Sequence, residues 1–153
     1  MADSIDRQQV TIVPFMPDHL EHVHALEQEC FASPWSYDGL LVELSNPMAV
    51  FRVALAGGKV AGYVGMHHIL DEGYITNIAV SEQFRHQGIG TQLLDALLTY
   101  GKQNDMSFIT LEVRVSNSAA IALYRASDFE DAGIRPGFYT GPAEDALIMT
   151  YTF

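Results

Sequence analysis

NIAVSEQFRHQGIGTQLLDALL, residues 77–98, passes from an apolar stretch through a polar loop into a glycine turn and then a helical pattern. From Gly88 onward, Ile89, Leu93, Leu94, Leu97 and Leu98 recur at the period of an amphipathic helix. Glycines at 88 and 90, just where that helix starts, let a ligand approach the backbone with no Cβ in the way. The N–H groups of a helix start carry partial positive charge, which suits a pyrophosphate. Arg85 and His86 add local positive character. A dinucleotide turn requires G-x-G-x-x-G, but Leu93 stands at the third glycine's place. A triphosphate loop requires a lysine after its last glycine, and here Thr91 follows Gly90. What remains is a strand, a loop and R-x-x-G-x-G opening a helix. A glycine-rich helix start that holds nothing is the alternative.

The rest of the chain supplies a setting for that turn. VTIVPF (10–15) reads as a first strand, and PDHLEHVHALEQECF (17–31) places Leu20, Val23, Leu26 and Cys30 at helical spacing. SPWSYDGLLVELSNP reads as a loop and a short helix, capped by Ser36 and ended by Pro47. AVFRVALA and KVAGYVGMHHIL flank Gly57-Gly58, a hairpin signal. GYITNIAV (73–80), SFITLEVRV (107–115) and the tail EDALIMTYTF read as strands, and NSAAIALYRA as a short helix. The order β-α-α-β-β-β-α-β-α-β-β predicts an α/β (α+β) chain. Its sheet is mixed and mostly antiparallel, with about six to seven strands flanked by about four helices. No repeat or linker interrupts it, so residues 1–153 read as one domain.

Composition narrows the partners. Hydrophobic residues make up 48% and charged ones 18%, a globular balance. Eight basic against nineteen acidic residues give a net charge of 8 − 19 = −11. That argues against nucleic acid and fits a cationic partner, or simply solubility. No apolar run approaches the roughly 20 residues of a membrane span. The start, MADSIDRQQV, lacks the pattern of a secretory signal. One cysteine, Cys30, excludes an internal disulfide, fits a reducing cytoplasm and reads as a buried structural thiol. The histidines at 19, 22, 24, 67, 68 and 86 show no zinc spacing, so no metal is expected. His67 and His68, adjacent on a strand, should face opposite ways.

NIAVSEQFRHQGIGTQLLDALL resembles motif A of the GCN5-related N-acetyltransferases (GNAT), in which R/Q-x-x-G-x-G/A binds the pyrophosphate of acetyl-coenzyme A. The strand order fits the same fold along nearly the whole chain. LEVRVSNSAAIALY, SPWS and FYTGPAEDALIM together resemble the RimI branch, which acetylates the N-terminal alanine of a small-subunit ribosomal protein. The resemblance implies an acetyl-coenzyme A site formed by Arg85, His86, Gln87, Gly88, Ile89, Gly90 and Thr91. It adds the backbone of Ile78, Ala79 and Val80 along the pantetheine arm, and Asn117, which would also cap a helix. It implies a cytoplasmic enzyme whose partner is a protein with a basic N-terminus. His86 and Gln87 stand where the family often has arginines, and Asp128 where LY-x-x-x-GF has glycine. Aspartate can still adopt the left-handed turn conformation.

Acetylating an amine requires a base for the ammonium and an acid for the departing thiolate. In TLEVRV, alternation sets Leu111, Val113 and Val115 on one face and Glu112 and Arg114 on the other. Glu112 reads either as a solvated carboxylate paired with Arg114 or as the base, and the resemblance implies the base. Tyr124 reads either as a packing tyrosine or as the acid, since its phenol lies near the thiol in pKa; the resemblance implies the acid. An α-amine of pKa about 7.8 is roughly a quarter neutral near pH 7.4, against on the order of a tenth of a percent for lysine, so an N-terminus is the easier nucleophile. Trp35 and Tyr139 lie in segments that flank the peptide cleft in the RimI branch. Trp35 could equally anchor the core, and Glu72, Glu144 and Asp145 could supply negative charge for a cationic peptide. Two rivals remain: a transferase for a small amine or lysine side chain, and a silent acyl-coenzyme A sensor. Glu112 and Tyr124 weigh against silence, because a pure binder needs neither.

Overall fold

The apolar runs read from the sequence join into one sheet. The computed structural model describes residues 9–153 and orders seven strands as β1-β2-β3-β4-β5-β7-β6. The strands are β1 (Val10–Pro14), β2 (Ala49–Ala56), β3 (Lys59–Ile69), β4 (Glu72–Val80), β5 (Phe108–Arg114), β6 (Glu130–Tyr139) and β7 (Glu144–Thr152). The helices are α1 (Leu20–Cys30), α2 (Tyr37–Leu44), α3 (Ile89–Gln103) and α4 (Ser118–Ala126). Expected and observed orders agree, with ends moved by a residue or a few, and β6 takes up residues to which the sequence reading assigned no strand. The helix expected from residue 17 opens with a 3₁₀ turn, Pro17–His19, before α1 begins. Part of the MADSIDRQQV start, residues 1–8, lies outside the described residues.

Each helix face has its layer. Leu93, Leu94 and Leu97 of α3 bury against Val64, Met66, Ile109 and Leu111 on one side of the sheet. On the other, Leu20, Val23 and Leu26 of α1 and Leu40 of α2 pack on Phe51, Val53 and Tyr63. A fully buried leucine contributes roughly 2 kcal/mol, so these stripes hold the helices on the sheet. Ser36 caps α2 as expected, its Oγ accepting from the Gly39 N–H at 3.0 Å. His67 and His68 do face opposite layers: His67 Nε2 lies 2.9 Å from Glu43 of α2, and His68 Nδ1 lies 2.7 Å from Tyr100 of α3. No helix of the described residues is long and apolar enough to cross a membrane.

Two irregularities shape the middle of the sheet. β4 and β5 are the one parallel pair, and they are in register only from Glu72↔Phe108 to Tyr74↔Thr110. Beyond Tyr74, β4 continues along β3 to Val80 while β5 continues along β7 to Arg114. The two strands part, leaving one edge of β4 without a strand partner. On the other edge the β3–β4 register jumps from Gly65↔Asn77 to Met66↔Ile75, which makes Thr76 the extra residue of a bulge. Both features lie just before the glycine turn.

Candidate functional site

The α3 start closes one end of the gap. Gly88 is its N-cap, in the left-handed region at φ +79°, and the first helical hydrogen bond runs from Gln92 N–H to Gly88 carbonyl at 3.1 Å. The N–H groups ahead of Gln92 are left for a ligand. A cleft of about 370 Å³ opens there, lined by Val80, Arg85, His86, Gly88, Ile89, Gly90 and Thr91 among others. Phe84 and, from α4, Ala119, Ala120 and Leu123 complete it. Those four were not named as site residues from the sequence, and for the three on α4 the reason is that nothing in it says that α4 crosses the start of α3. Ile78, Ala79, Gln87 and Asn117 do not line the cleft. Ile78 and Ala79 lie upstream on β4, and Asn117 caps α4, its Oδ1 accepting from Ala120 N–H at 3.2 Å.

The two glycines differ in purpose. At Gly88 a Cβ would meet nothing, so the requirement is the left-handed backbone. At Gly90 a Cβ would come within 3.0 Å of Leu123 Cδ2, so that glycine lets α4 approach α3. Gly90 therefore serves the packing of the two helices as well as lining the cleft. Arg85 lines the cleft and makes two further contacts. Its Nε donates to the Val80 carbonyl at 3.1 Å and its Nη2 lies 3.6 Å from Cys30 Sγ, so the side chain folds back on the end of β4. Cys30 is correspondingly only part-buried, with its thiol pushed up chiefly by burial and pulled down by Arg85.

In the gap, alternation along β5 puts Glu112 and Arg114 on one face, with Leu111 and Val113 in the core. Val115, expected on the face of Leu111 and Val113, falls beyond the strand and is exposed. Glu112 does not pair with Arg114. Its Oε2 accepts from the Tyr74 hydroxyl at 2.7 Å, and Oε1 accepts no hydrogen bond from the described residues. Tyr74 is the last residue of β4 in register with β5, so its length spans the mouth of the gap to a residue one pleat further on. Burial first, and then the Glu112 hydrogen bond, push the Tyr74 phenol well up. Tyr74 is a site residue that the sequence reading missed, since an exposed strand tyrosine carries no signal until the register is known. Tyr124 reaches the core from α4, 5% exposed, its ring 5.9 Å from Phe129. Burial and, second, the Tyr139 phenol raise its pKa.

A second cleft of about 370 Å³ lies between the loop after α1 (Phe31, Ala32, Ser33) and the end of β6 (Phe138, Tyr139, Thr140, Gly141), over Arg114. Arg114 Nη1 donates to the Pro142 carbonyl at 2.9 Å and to Glu144 Oε1 at 3.2 Å, and Nη2 donates to the Thr140 carbonyl at 3.2 Å. Its guanidinium sits 4.4 Å from the centre of the Tyr139 ring. Tyr139 is thus a wall of this cleft. Trp35 is not: its ring packs on Phe51 at 6.2 Å, the core anchor weighed as the alternative. Glu72 is exposed at the paired end of β4, opposite Phe108, two residues before Tyr74. Glu144 is taken up by Arg114 and Ser116, and hydrogen bonding from Ser116 holds its carboxyl below the usual range. Asp145 accepts from the Gly137 N–H at 2.8 Å. No cluster of three metal-ligating side chains occurs among the described residues.

Residues 20–129 match the model of the acetyltransferase (GNAT) family. The chain belongs to the GNAT family. This GNAT chain is 39% identical over 136 residues to a protein of Bacillus subtilis strain 168, covering 88% of this chain and 90% of that one. It is 35% identical over 141 residues to the [ribosomal protein bS18]-alanine N-acetyltransferase of Escherichia coli K12, covering 91% and 95%. The crystal structure of the Escherichia coli ribosomal-protein-S18-alanine N-acetyltransferase superposes with a TM-score of 0.87 at 33% identity, over 94% of each chain. As a GNAT enzyme the chain is an N-acetyltransferase that uses acetyl-coenzyme A. The residues fit that donor: free N–H groups and a left-handed glycine face the first cleft, and the unpaired edge of β4 leads from it into the gap.

Proposed function

We propose that this GNAT enzyme acetylates the N-terminal α-amine of ribosomal protein bS18, an alanine, as a single catalytic domain of residues 1–153 in the cytoplasm. Its partner is then a protein with a basic N-terminus. The observation that carries this reading is Glu112 in the gap, with one carboxylate oxygen fixed by Tyr74 and the other uncommitted. The Escherichia coli relative with that activity, at 35% identity, supplies the substrate.

In this reading the first cleft, lined by Arg85, His86, Gly88, Ile89, Gly90 and Thr91, holds the coenzyme end with Gln87 and the capping Asn117 outside its lining, and Ile78, Ala79 and Val80 hold the arm. Bound acetyl-coenzyme A supplies the acetyl group as a thioester. Glu112 takes a proton from the incoming ammonium through its free oxygen, leaving a neutral amine for direct attack in a ternary complex. Free backbone N–H groups on the edge of β4 stabilise charge developing on the acyl oxygen. Tyr124 keeps its proton because burial disfavours the phenolate. It therefore acts as a donor that yields only as negative charge builds on the departing sulfur. Tyr139 and the loop of residues 31–33 flank the peptide, and the packed Trp35 contributes by shaping that loop.

Thiol release from acetyl-coenzyme A tests the reading, with a peptide copying the bS18 N-terminus as acceptor. Turnover with the peptide and none with polyamines is the expected outcome. Turnover with polyamines or lysine side chains alone would replace the substrate, and tight coenzyme binding without acetylation would replace the enzyme with a sensor.

A further inference from the structure

We infer that Glu27 is a positioning residue for the peptide cleft, acting through the loop between α1 and α2. The inference rests on the reading of residues 31–33 as a wall of that cleft. Glu27 is fully buried on α1, and no salt bridge of the described residues reaches it. A buried carboxylate without a cation is tolerated only where donors satisfy it. Three donors do, from three segments. Glu27 Oε2 accepts from the Tyr63 hydroxyl of β3 at 2.5 Å and from Asn77 Nδ2 of β4 at 2.6 Å. Glu27 Oε1 accepts from the Trp35 backbone N–H at 2.9 Å. One oxygen is tied to the sheet, beside the β4 bulge, and the other to the loop.

Between the end of α1 and the Ser36 cap, residues 32–35 make no other hydrogen bond within the described residues. The loop that carries Phe31, Ala32 and Ser33 into the cleft is therefore pinned by Glu27 and by the packing of Trp35 on Phe51. An apolar side chain would fill the same volume but leave three donors, from Tyr63, Asn77 and Trp35, without their acceptor, at a cost in stability. It would not fix where the Trp35 N–H sits. That is the contribution of the carboxylate.

Three variants and one exchange measurement test this. Glu27→Met keeps the length and removes the acceptor. It should raise the peptide KM about tenfold, the loss expected for one charged hydrogen bond. Saturated kcat and the acetyl-coenzyme A KM should stay within about twofold. Glu27→Gln should restore most of the peptide KM, because its amide oxygen can face Trp35 while its NH₂ turns to Tyr63 and a flipped Asn77 amide. Tyr63→Phe removes a donor from the sheet side, so it should lower thermal stability and leave the peptide KM alone. An unchanged KM in Glu27→Met, no recovery with Gln, or an equal rise in Tyr63→Phe would each overturn the inference. In the unaltered chain the Trp35 amide should exchange on the order of a hundredfold more slowly than those of Ala32 and Ser33. Equal rates would overturn it even if Glu27→Met does not fold. Absence of any turnover of the bS18 peptide by the unaltered chain would instead count against the proposed substrate, with the exchange result still deciding the anchor.

Discussion

Glu112 and Arg114 stand two residues apart on one face of β5, yet their charges serve different parts of the site. Arg114 is consumed in holding the β6–β7 connection beneath Tyr139, so among the described residues Glu112 has no salt bridge and keeps Tyr74 as its one hydrogen-bond partner. A carboxylate left with a free oxygen in a gap between strands is able to take a proton. Glu112→Gln should lower kcat on the order of a hundredfold with acetyl-coenzyme A affinity unchanged, measured by thiol release and calorimetry. Full turnover would remove Glu112 from the chemistry. Tyr74→Phe should lower kcat by less, about fivefold, since it loses an orienting hydrogen bond and not the base. Because both act through one group, the double variant should be no slower than Glu112→Gln alone. Additive losses would mean that Tyr74 works independently of Glu112.

Among the elements, the α3 start and the α4 end show what a glycine or its absence does. At the end of α4, Asp128 occupies the left-handed region at φ +69°, and Phe129 N–H closes on the Tyr124 carbonyl at 3.0 Å. The turn forms without the glycine, with the backbone strain left in place. Asp128→Gly should raise stability by about 0.5–1 kcal/mol, read as a higher denaturant midpoint at constant slope. Gly88→Ala should do the reverse by about 1 kcal/mol and weaken coenzyme binding, because φ +79° there admits no Cβ without strain. Ten of the eleven elements were legible as stretches of the sequence, since period-2 and helical patterns depend only on local order. β6 was counted in the order but placed on no stretch, because it is exposed along nearly its whole length and shows no alternation. The glycine turn, Ser36 and Asn117 were legible for the same reason: caps and turns are local chemistry. What was not legible depends on register. That Tyr74 meets Glu112, that Leu123 presses on Gly90, and that Trp35 turns into the core follow from which residues end up opposite one another. The charge pairing failed likewise, because Arg114 reaches across β7 to a loop some 28 residues away.

For the molecule as a whole, two consequences follow from how protons and charge are distributed. Tyr63, Tyr74 and Tyr124 all have phenols raised chiefly by burial, so the folded chain holds their protons more tightly than the unfolded chain. Their contribution is complete below the unfolded value near 10 and is lost as pH rises through the higher folded values. Melting temperature should therefore fall steeply above about pH 10, and Tyr63→Phe should make that fall shallower. The net charge of −11 acts at longer range and on both substrates in opposite senses. On the proposed function it draws a basic peptide toward the cleft and repels a polyanionic coenzyme, whose proposed binding rests on local N–H groups and a left-handed glycine at the α3 start. Salt shortens the range of both effects, with a Debye length of about 8 Å at physiological ionic strength. Raising salt from about 0.03 to 0.3 M should lower kcat/KM for the bS18 peptide several-fold, mainly through slower association. Over the same range the acetyl-coenzyme A KM should hold or fall, because the repulsion it meets is screened. A small neutral amine acceptor should show no such loss. If peptide and neutral amine respond alike, the acidic surface plays no part in choosing the substrate, and recognition rests on the contacts of the cleft alone.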